Sequence, residues 1–166
     1  MSGLAVLGID PGLNGGIAIL HPKDGMILET MPTIGNQMNP AILSDMIQEY
    51  LGEIRLAVLE QVHSMPKQGV ASSFKFGRTV GVIEGILAAH RVRYFEVRPQ
   101  EWMKEMHQGT PASMDPKERG RLAFTRIFPG VNAMATPKSR VMHDGLVDAA
   151  LIAEYANRKI QQGMWT

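Results

Sequence analysis

The 166-residue chain contains no cysteine, so neither a disulfide framework nor a cysteine-ligated zinc site is available to it, and a reducing compartment suits it. It has no apolar run near the ~20 residues that a membrane-spanning helix needs, and its first residues lack the basic-then-apolar layout of a signal peptide. It has no internal repeat and no low-complexity tract. Its formal net charge is only +1, which by itself points to no partner. What remains is a composition 45% hydrophobic, enough for one sizeable core. One domain over residues 1–166, soluble and cytoplasmic with no membrane partner, is the expectation.

The near-zero charge hides a segregation. Residues 1–60 carry a net −5, residues 61–143 a net +7 and the remainder −1. A basic middle beside separated acids suggests a polyanion held near a carboxylate site, although a solvated basic face would show the same balance.

The pattern along the chain supplies the elements. Leu4 to Gly12 is an apolar run ending in Asp10 and a Pro-Gly turn, and Asn14 to Leu20 follows at once, which reads as a β-hairpin with Asp10 at its mouth. Met26 to Met31 reads as a third strand after the Lys23-Asp24-Gly25 turn. Pro40 starts a helix with Leu43, Met46, Ile47, Tyr50 and Leu51 at helical spacing, and Gly52 stops it. Ile54 to Leu59 is a branched apolar strand ending in Glu60. Val62 to Gly69 is loop, and Ser72 to His90 is a long helix with Gly77, Gly81 and Gly85 in a row. Such a row lets another backbone come close, whether the sheet or a second copy. Tyr94 to Val97 is a strand, and Pro99 opens a short helix in which Trp102, Met103 and Met106 read as core or dimer interface. Residues 107–116 read as a mobile loop, Lys117 to Phe128 as a helix, Asn132 to Met142 as loop, and Asp144 onward as the final helix. The order βββαβαβααα makes an α/β fold, a mixed five-stranded sheet flanked by helices.

Four acids stand out on this framework: Asp10 and Glu60 at the ends of two strands, and Asp144 and Asp148 four apart on one helix face. Each alone has an ordinary explanation as a turn, surface or helix-cap residue. Together, like charges at one spot repel and call for a cation. With oxygen donors that cation is Mg²⁺ or Mn²⁺ rather than zinc, and two such ions can clamp the water and leaving oxygen of a phosphodiester.

At these residues the chain resembles the RuvC family of Holliday-junction resolvases, in its phage-like and divergent branches. The resemblance is carried in order by Gly8-Ile9-Asp10-Pro11-Gly12, by Glu60-Gln61-Val62, by Phe74-Lys75-Phe76-Gly77 on the long helix, and by His143-Asp144 to Asp148-Ala149-Ala150. It implies a ribonuclease H-like fold, a homodimer, two Mg²⁺ or Mn²⁺ ions per active site, paired nicks in four-way or branched DNA, and the cytoplasm of a bacterial or phage-infected cell. It puts Asp10, Glu60 and Asp148 on the metals. The last-helix acids of the family are commonly three apart, whereas Gly145 holds that position here, so Asp144 or His143 supplies the fourth catalytic function. After Glu60-Gln61-Val62, His63 stands where an aromatic that stacks at the junction core is typical.

The basic residues Lys67, Lys75, Arg78, Lys104, Lys117, Arg121, Lys138 and Arg140 flank the acidic segments and are the candidates, with His63, for DNA contact. Two rival readings exist. An ATPase of the actin and sugar-kinase type also opens on a glycine-flanked aspartate, but it needs a second Gly-rich phosphate hairpin that this sequence lacks. A junction-binding protein without catalysis would have no use for all four acids.

Overall fold

The computed structural model describes residues 4–61 and 69–165. Strands β1 (Ala5–Asp10), β2 (Gly16–His21) and β3 (Gly25–Thr30) form an antiparallel meander, and β1 continues the sheet through parallel pairing with a strand from later in the chain. A two-stranded hairpin, β4 (Thr33–Ile34) and β5 (Gln37–Met38), leads into α1 (Pro40–Glu49). Then come β6 (Ile54–Glu60), α2 (Val70–Ala89), β7 (Tyr94–Val97), α3 (Pro99–Met106), α4 (Pro116–Ile127) and α5 (Asp144–Gln161). The five-stranded sheet runs β3-β2-β1-β6-β7, with β1, β6 and β7 mutually parallel. The α/β class and the mixed five-stranded sheet read from the sequence are both present.

Period-two alternation divides the core between the two faces of the sheet. Ala5, Leu7 and Ile9 point to the side of α1 and α2, where they pack with Leu43, Ile47, Ile83 and Leu87. Val6, Leu56 and Val58 point to the other side, among α5 residues such as Leu146, Ala150 and Leu151. Helix α1 starts where its sequence says it should: Asn39 Oδ1 accepts from the Ala41 and Ile42 amides at 3.1 and 3.3 Å, and Pro40 occupies the first turn, where its missing N–H is harmless.

Helix α5 is buried along most of its length, and it meets the sheet backbone to backbone. A Cβ on Gly8 would strike the Ala149 carbonyl oxygen and lie 2.6 Å from Ala153 N, and one on Gly16 would lie 2.5 Å from Gly145 O. Glycine and alanine at these points let the helix settle closely enough for its aspartates to reach the strand ends.

Three local details differ from the sequence reading. The β4–β5 hairpin was not anticipated, although Gly35-Asn36 between two short strands is a hairpin turn signal, and Gly35 takes φ +57° there. Helix α2 begins at Val70, two residues before the expected Ser72. Of residues 107–116, expected as a mobile loop, 107–115 are turns and bends and Pro116 already opens α4; Thr110 Oγ1 donates to the His107 carbonyl at 2.6 Å and accepts from Arg119 Nε at 2.9 Å. The glycine row of α2 faces away from the sheet, since a Cβ on Gly77, Gly81 or Gly85 would meet nothing within 4 Å.

Because α5 has no slack over the sheet, Gly8→Ala and Gly16→Ala should each destabilise the fold by about 1–3 kcal/mol or more, the range for forced overpacking. Urea unfolding measures this directly. An unchanged midpoint in both variants would mean that α5 does not seat on the β1–β2 hairpin as described.

Candidate active site

The parallel register brings the two strand acids together. Ile9 pairs with Leu59, so the next residues, Asp10 and Glu60, end adjacent strands side by side. Alternation sends both to the face covered by α5, and Asp148 lies on that helix one residue before the Ala149 carbonyl that rests against Gly8. Asp10, Glu60 and Asp148 are each half-buried.

Their electrostatics confirm the crowding. Burial, and then the charge of Asp10, push Glu60 up to about 7, against the pull of a hydrogen bond from Trp102. Burial, followed by the charges of Asp10, Glu60 and Asp144, pushes Asp148 up to about 8, with Lys117 opposing. Asp10 is also raised by burial, in spite of the Gly12 amide it accepts at 3.2 Å and the charge of His143. Three partly desolvated carboxylates crowded at one spot are costly unless protons or a cation neutralise them.

Asp144 is in a different state. Arg121 Nη2 and Nε donate to its Oδ1 at 2.7 and 2.9 Å, and Lys117 Nζ lies 3.2 Å from its Oδ2. Burial would raise its pKa, but these hydrogen bonds and charges win and hold it below the usual carboxylate range. The two cations, four apart on α4, are thus joined to a carboxylate at the site's edge, a pairing the sequence reading, which set them aside for DNA, did not foresee. His143 caps α5, its Nδ1 accepting from the Leu146 amide at 3.4 Å. Gly145 explains the displaced acid: a Cβ there would lie 2.5 Å from Gly15 C, so no aspartate fits at the position three before Asp148.

Two further side chains adjoin the site. Trp102 is fully buried, as its core assignment requires, yet its indole N–H donates to Glu60 Oε2 at 2.8 Å. A buried tryptophan needs an acceptor for that proton, which was the available sequence signal. His107, five residues on in the stretch whose sequence pattern marks it as loop, stands edge-on to the Trp102 ring at 5.8 Å.

Among the other DNA candidates, His63 and Lys67 lie outside the described residues. Lys75 and Arg78 are exposed on α2, beside a groove of about 640 Å³ between that helix and the β4–β5 hairpin, lined also by Ile34 and Phe74. Lys104 on α3 and Lys138 and Arg140 before α5 are exposed and, among the described residues, make no ion pair.

The carboxylate set offers oxygen donors, which suit a hard divalent cation. The only described trio whose ligand atoms all lie within 4.8 Å of one another is elsewhere: His21, Asp24 and Glu53, at the opposite end of β1 and β2. Its imidazole is already engaged, by Asp24 and Glu53 at 2.8 Å each and by the Lys23 and Asp24 amides directed at Nδ1. Two amide protons aimed at the same nitrogen oppose a cation there. Among the described residues, no helix is long and apolar enough to cross a membrane.

No family model and no curated protein matches the chain. Solved structures do. Thermus thermophilus RuvC in complex with a Holliday junction substrate superposes with a TM-score of 0.64 at 14% identity, covering 97% of this chain and 98% of that one. A second Thermus thermophilus RuvC structure gives a TM-score of 0.57 at 17% identity with the same coverage. The chain has a RuvC-like, ribonuclease H-like fold.

The raised carboxylates set the pH dependence of stability. Glu60 and Asp148 titrate near 7 and 8 in the folded chain against ordinary values of 4.5 and 3.8, so the folded form binds more protons between those limits. Their contribution is full below the ordinary values and is lost as pH rises through 7 and 8. Asp144, shifted the other way, contributes stability that is full above its ordinary value of 3.8 and is lost only as pH falls below it. Thermal unfolding in EDTA should therefore occur at a lower temperature at pH 8 than at pH 5, with Asp148→Asn reducing the difference. Equal midpoints for the wild-type chain would count against the carboxylate cluster.

Proposed function

We propose that this chain is a structure-specific endonuclease that resolves four-way DNA junctions by paired, metal-dependent phosphodiester hydrolysis. The observation that carries this reading is the set of three half-buried, crowded carboxylates, Asp10, Glu60 and Asp148, where two parallel strands end beneath α5 in a RuvC-like fold. Such a set is unfavourable for a purely structural role and fits a divalent-cation site. A DNA-binding protein without catalysis would gain nothing from keeping it.

In this proposal Asp10, Glu60 and Asp148 would hold two Mg²⁺ or Mn²⁺ ions, which would supply Lewis-acid stabilisation of the phosphate and make the attacking water more acidic. Trp102 orients Glu60 through its indole N–H. Hydrolysis forms a bond from the water oxygen to phosphorus and breaks the bond to the leaving oxygen, and the proton given up by the water balances the one the leaving oxygen takes up. Asp144 keeps Lys117 and Arg121 beside the carboxylates, where either cation can meet a phosphate as the DNA backbone arrives. His143, close enough to Asp10 for its charge to be felt there, is the other group available for the fourth catalytic function. Lys75, Arg78, Lys104, Lys138 and Arg140 contribute phosphate contacts farther out, with His63 and Lys67 on the segment after Glu60.

Two opposed nicks in a two-fold substrate call for a two-fold dimer with one site per subunit. The outward glycine row of α2, next to exposed Val70 and Phe74, is the face proposed for the seam.

Asp10→Asn, Glu60→Gln and Asp148→Asn should each cut Mg²⁺-dependent cleavage of a labelled four-way junction by more than about 100-fold, beyond the loss typical of an outer-shell change. Gel-shift affinity for the junction should stay near wild type, because phosphate contacts are untouched. Normal nicking by any of the three would remove that residue from the site, and loss of binding in all three would favour a different role for the cluster.

The seam has its own test. Gly81→Leu should sediment as a folded monomer and nick single strands without coordinated resolution. A stable dimer in that variant would take α2 out of the interface.

A further inference from the structure

We infer that the groove between α2 and the β4–β5 hairpin is a subsite for unpaired DNA, taking the bases of a single strand that leaves the carboxylate site. The inference rests on the chain acting on branched DNA. The sheet register sets where the groove lies: Asp10 pairs with Gly16 and Gly16 with Thr30, so the three stand side by side on one edge of the sheet. Met31, whose amide donates to the Gly15 carbonyl at 3.2 Å, carries the chain off that edge, and the hairpin starts two residues later at Thr33. Leu13, from the turn that follows Asp10, lines the groove together with the hairpin and α2. The groove therefore begins where the carboxylate site ends, three residues along from Asp10.

Its lining combines two chemistries. The walls are apolar and uncovered, with Ile34 on the hairpin 66% exposed and Phe74 on the helix 72% exposed. Lys75 and Arg78, three apart and so on one flank of α2, add two cations that make no ion pair among the described residues. Asn36 and Gln37 on the hairpin bring side-chain amides, each with donors and an acceptor. This mixture selects the occupant. An apolar peptide has no use for the two cations, and a paired duplex hides its base faces in the stack. An unpaired strand offers phosphates to Lys75 and Arg78, bare base faces to Phe74 and Ile34, and base edges to the amides. A cationic track beside an aromatic platform is how single strands are held with little regard to sequence. The volume of about 640 Å³ falls in the range that takes a drug-sized ligand, which is larger than one nucleobase. A four-way junction supplies such nucleotides at its exchange point, where strands change partners and stacking is interrupted.

Binding of a labelled dT oligonucleotide in EDTA, followed by fluorescence anisotropy beside a duplex of equal length, tests this without turnover. Phe74→Ala should weaken oligonucleotide binding by about 5–150-fold, the loss of one base–aromatic stack, and leave duplex binding unchanged. Ile34→Asp, on the other wall and outside α2, should weaken it as well. Both side chains are mostly exposed, so neither change threatens the core. Phe74→Trp should keep the affinity, with its added indole emission quenched by the oligonucleotide. Lys75→Gln and Arg78→Gln should each reduce the salt slope on the single strand by about 0.7, whereas Phe74→Ala should leave that slope as it is. Wild-type oligonucleotide affinity in both Phe74→Ala and Ile34→Asp, or equal losses on strand and duplex, would overturn the subsite. A monomeric Ile34→Asp with full oligonucleotide affinity would overturn it in favour of a surface for a second copy. Junction cleavage separates the two levels. If the wild-type chain cuts no junction yet Phe74→Ala loses strand binding, the subsite stands and the nuclease reading falls; if it cuts junctions while both variants bind strands normally, only the subsite falls.

Discussion

The close seating of α5 on the β1–β2 hairpin is the constraint on which the rest of the molecule depends. Gly8 and Gly16 on the sheet and Gly145 and Ala149 on the helix remove the side chains that would otherwise hold the two layers apart. Sheet and helix layers usually meet through interdigitated side chains; here backbone meets backbone at two places along one helix. That contact fixes where Asp148 stands relative to Asp10. It also forbids an acid at position 145, so the second helix acid occupies 144, on another azimuth of the helix.

This shift divides the acids into two electrostatic classes. Asp10, Glu60 and Asp148 sit half-buried together without an ion-pair partner among the described residues, and each is pushed toward the protonated form. Asp144, one turn earlier and more open, is held ionised by Arg121 and Lys117. The difference is one of supply. Helix α4 brings two basic side chains to the edge of the site, and only Lys117 is felt, weakly, by Asp148 farther in. The unneutralised interior is where an added cation gains most.

The layer behind the carboxylates is equally specific. Trp102 fills core volume and also aims its one polar atom at Glu60, so a single side chain serves packing and orientation. Thr110, in the turns after α3, links the His107 carbonyl to Arg119 on α4 and so ties the end of one helix to the other. On the opposite face of the sheet, α2 leaves its glycine row and Phe74 uncovered, so the helix that packs the site and this exposed face lie on different sides of the sheet.

The sequence by itself determined the five strands of the main sheet and the five helices, though not the short β4–β5 hairpin, because their signals are local: alternating or 3.6-period apolar residues, Pro40 after a capping Asn39, and turn residues between runs. It also determined that Asp10 and Glu60 end strands and that Asp144 and Asp148 share a helix. Only the tertiary structure decided which acids are neutralised and by what. The Arg121–Asp144 pair joins residues 23 apart, and the Trp102–Glu60 bond residues 42 apart, so both depend on how helices dock and not on any spacing within a segment. The same holds for the glycines. Gly8 and Gly81 are alike in sequence, but one is covered by a helix backbone and the other opens on solvent, a distinction made by layer packing and by nothing closer along the chain.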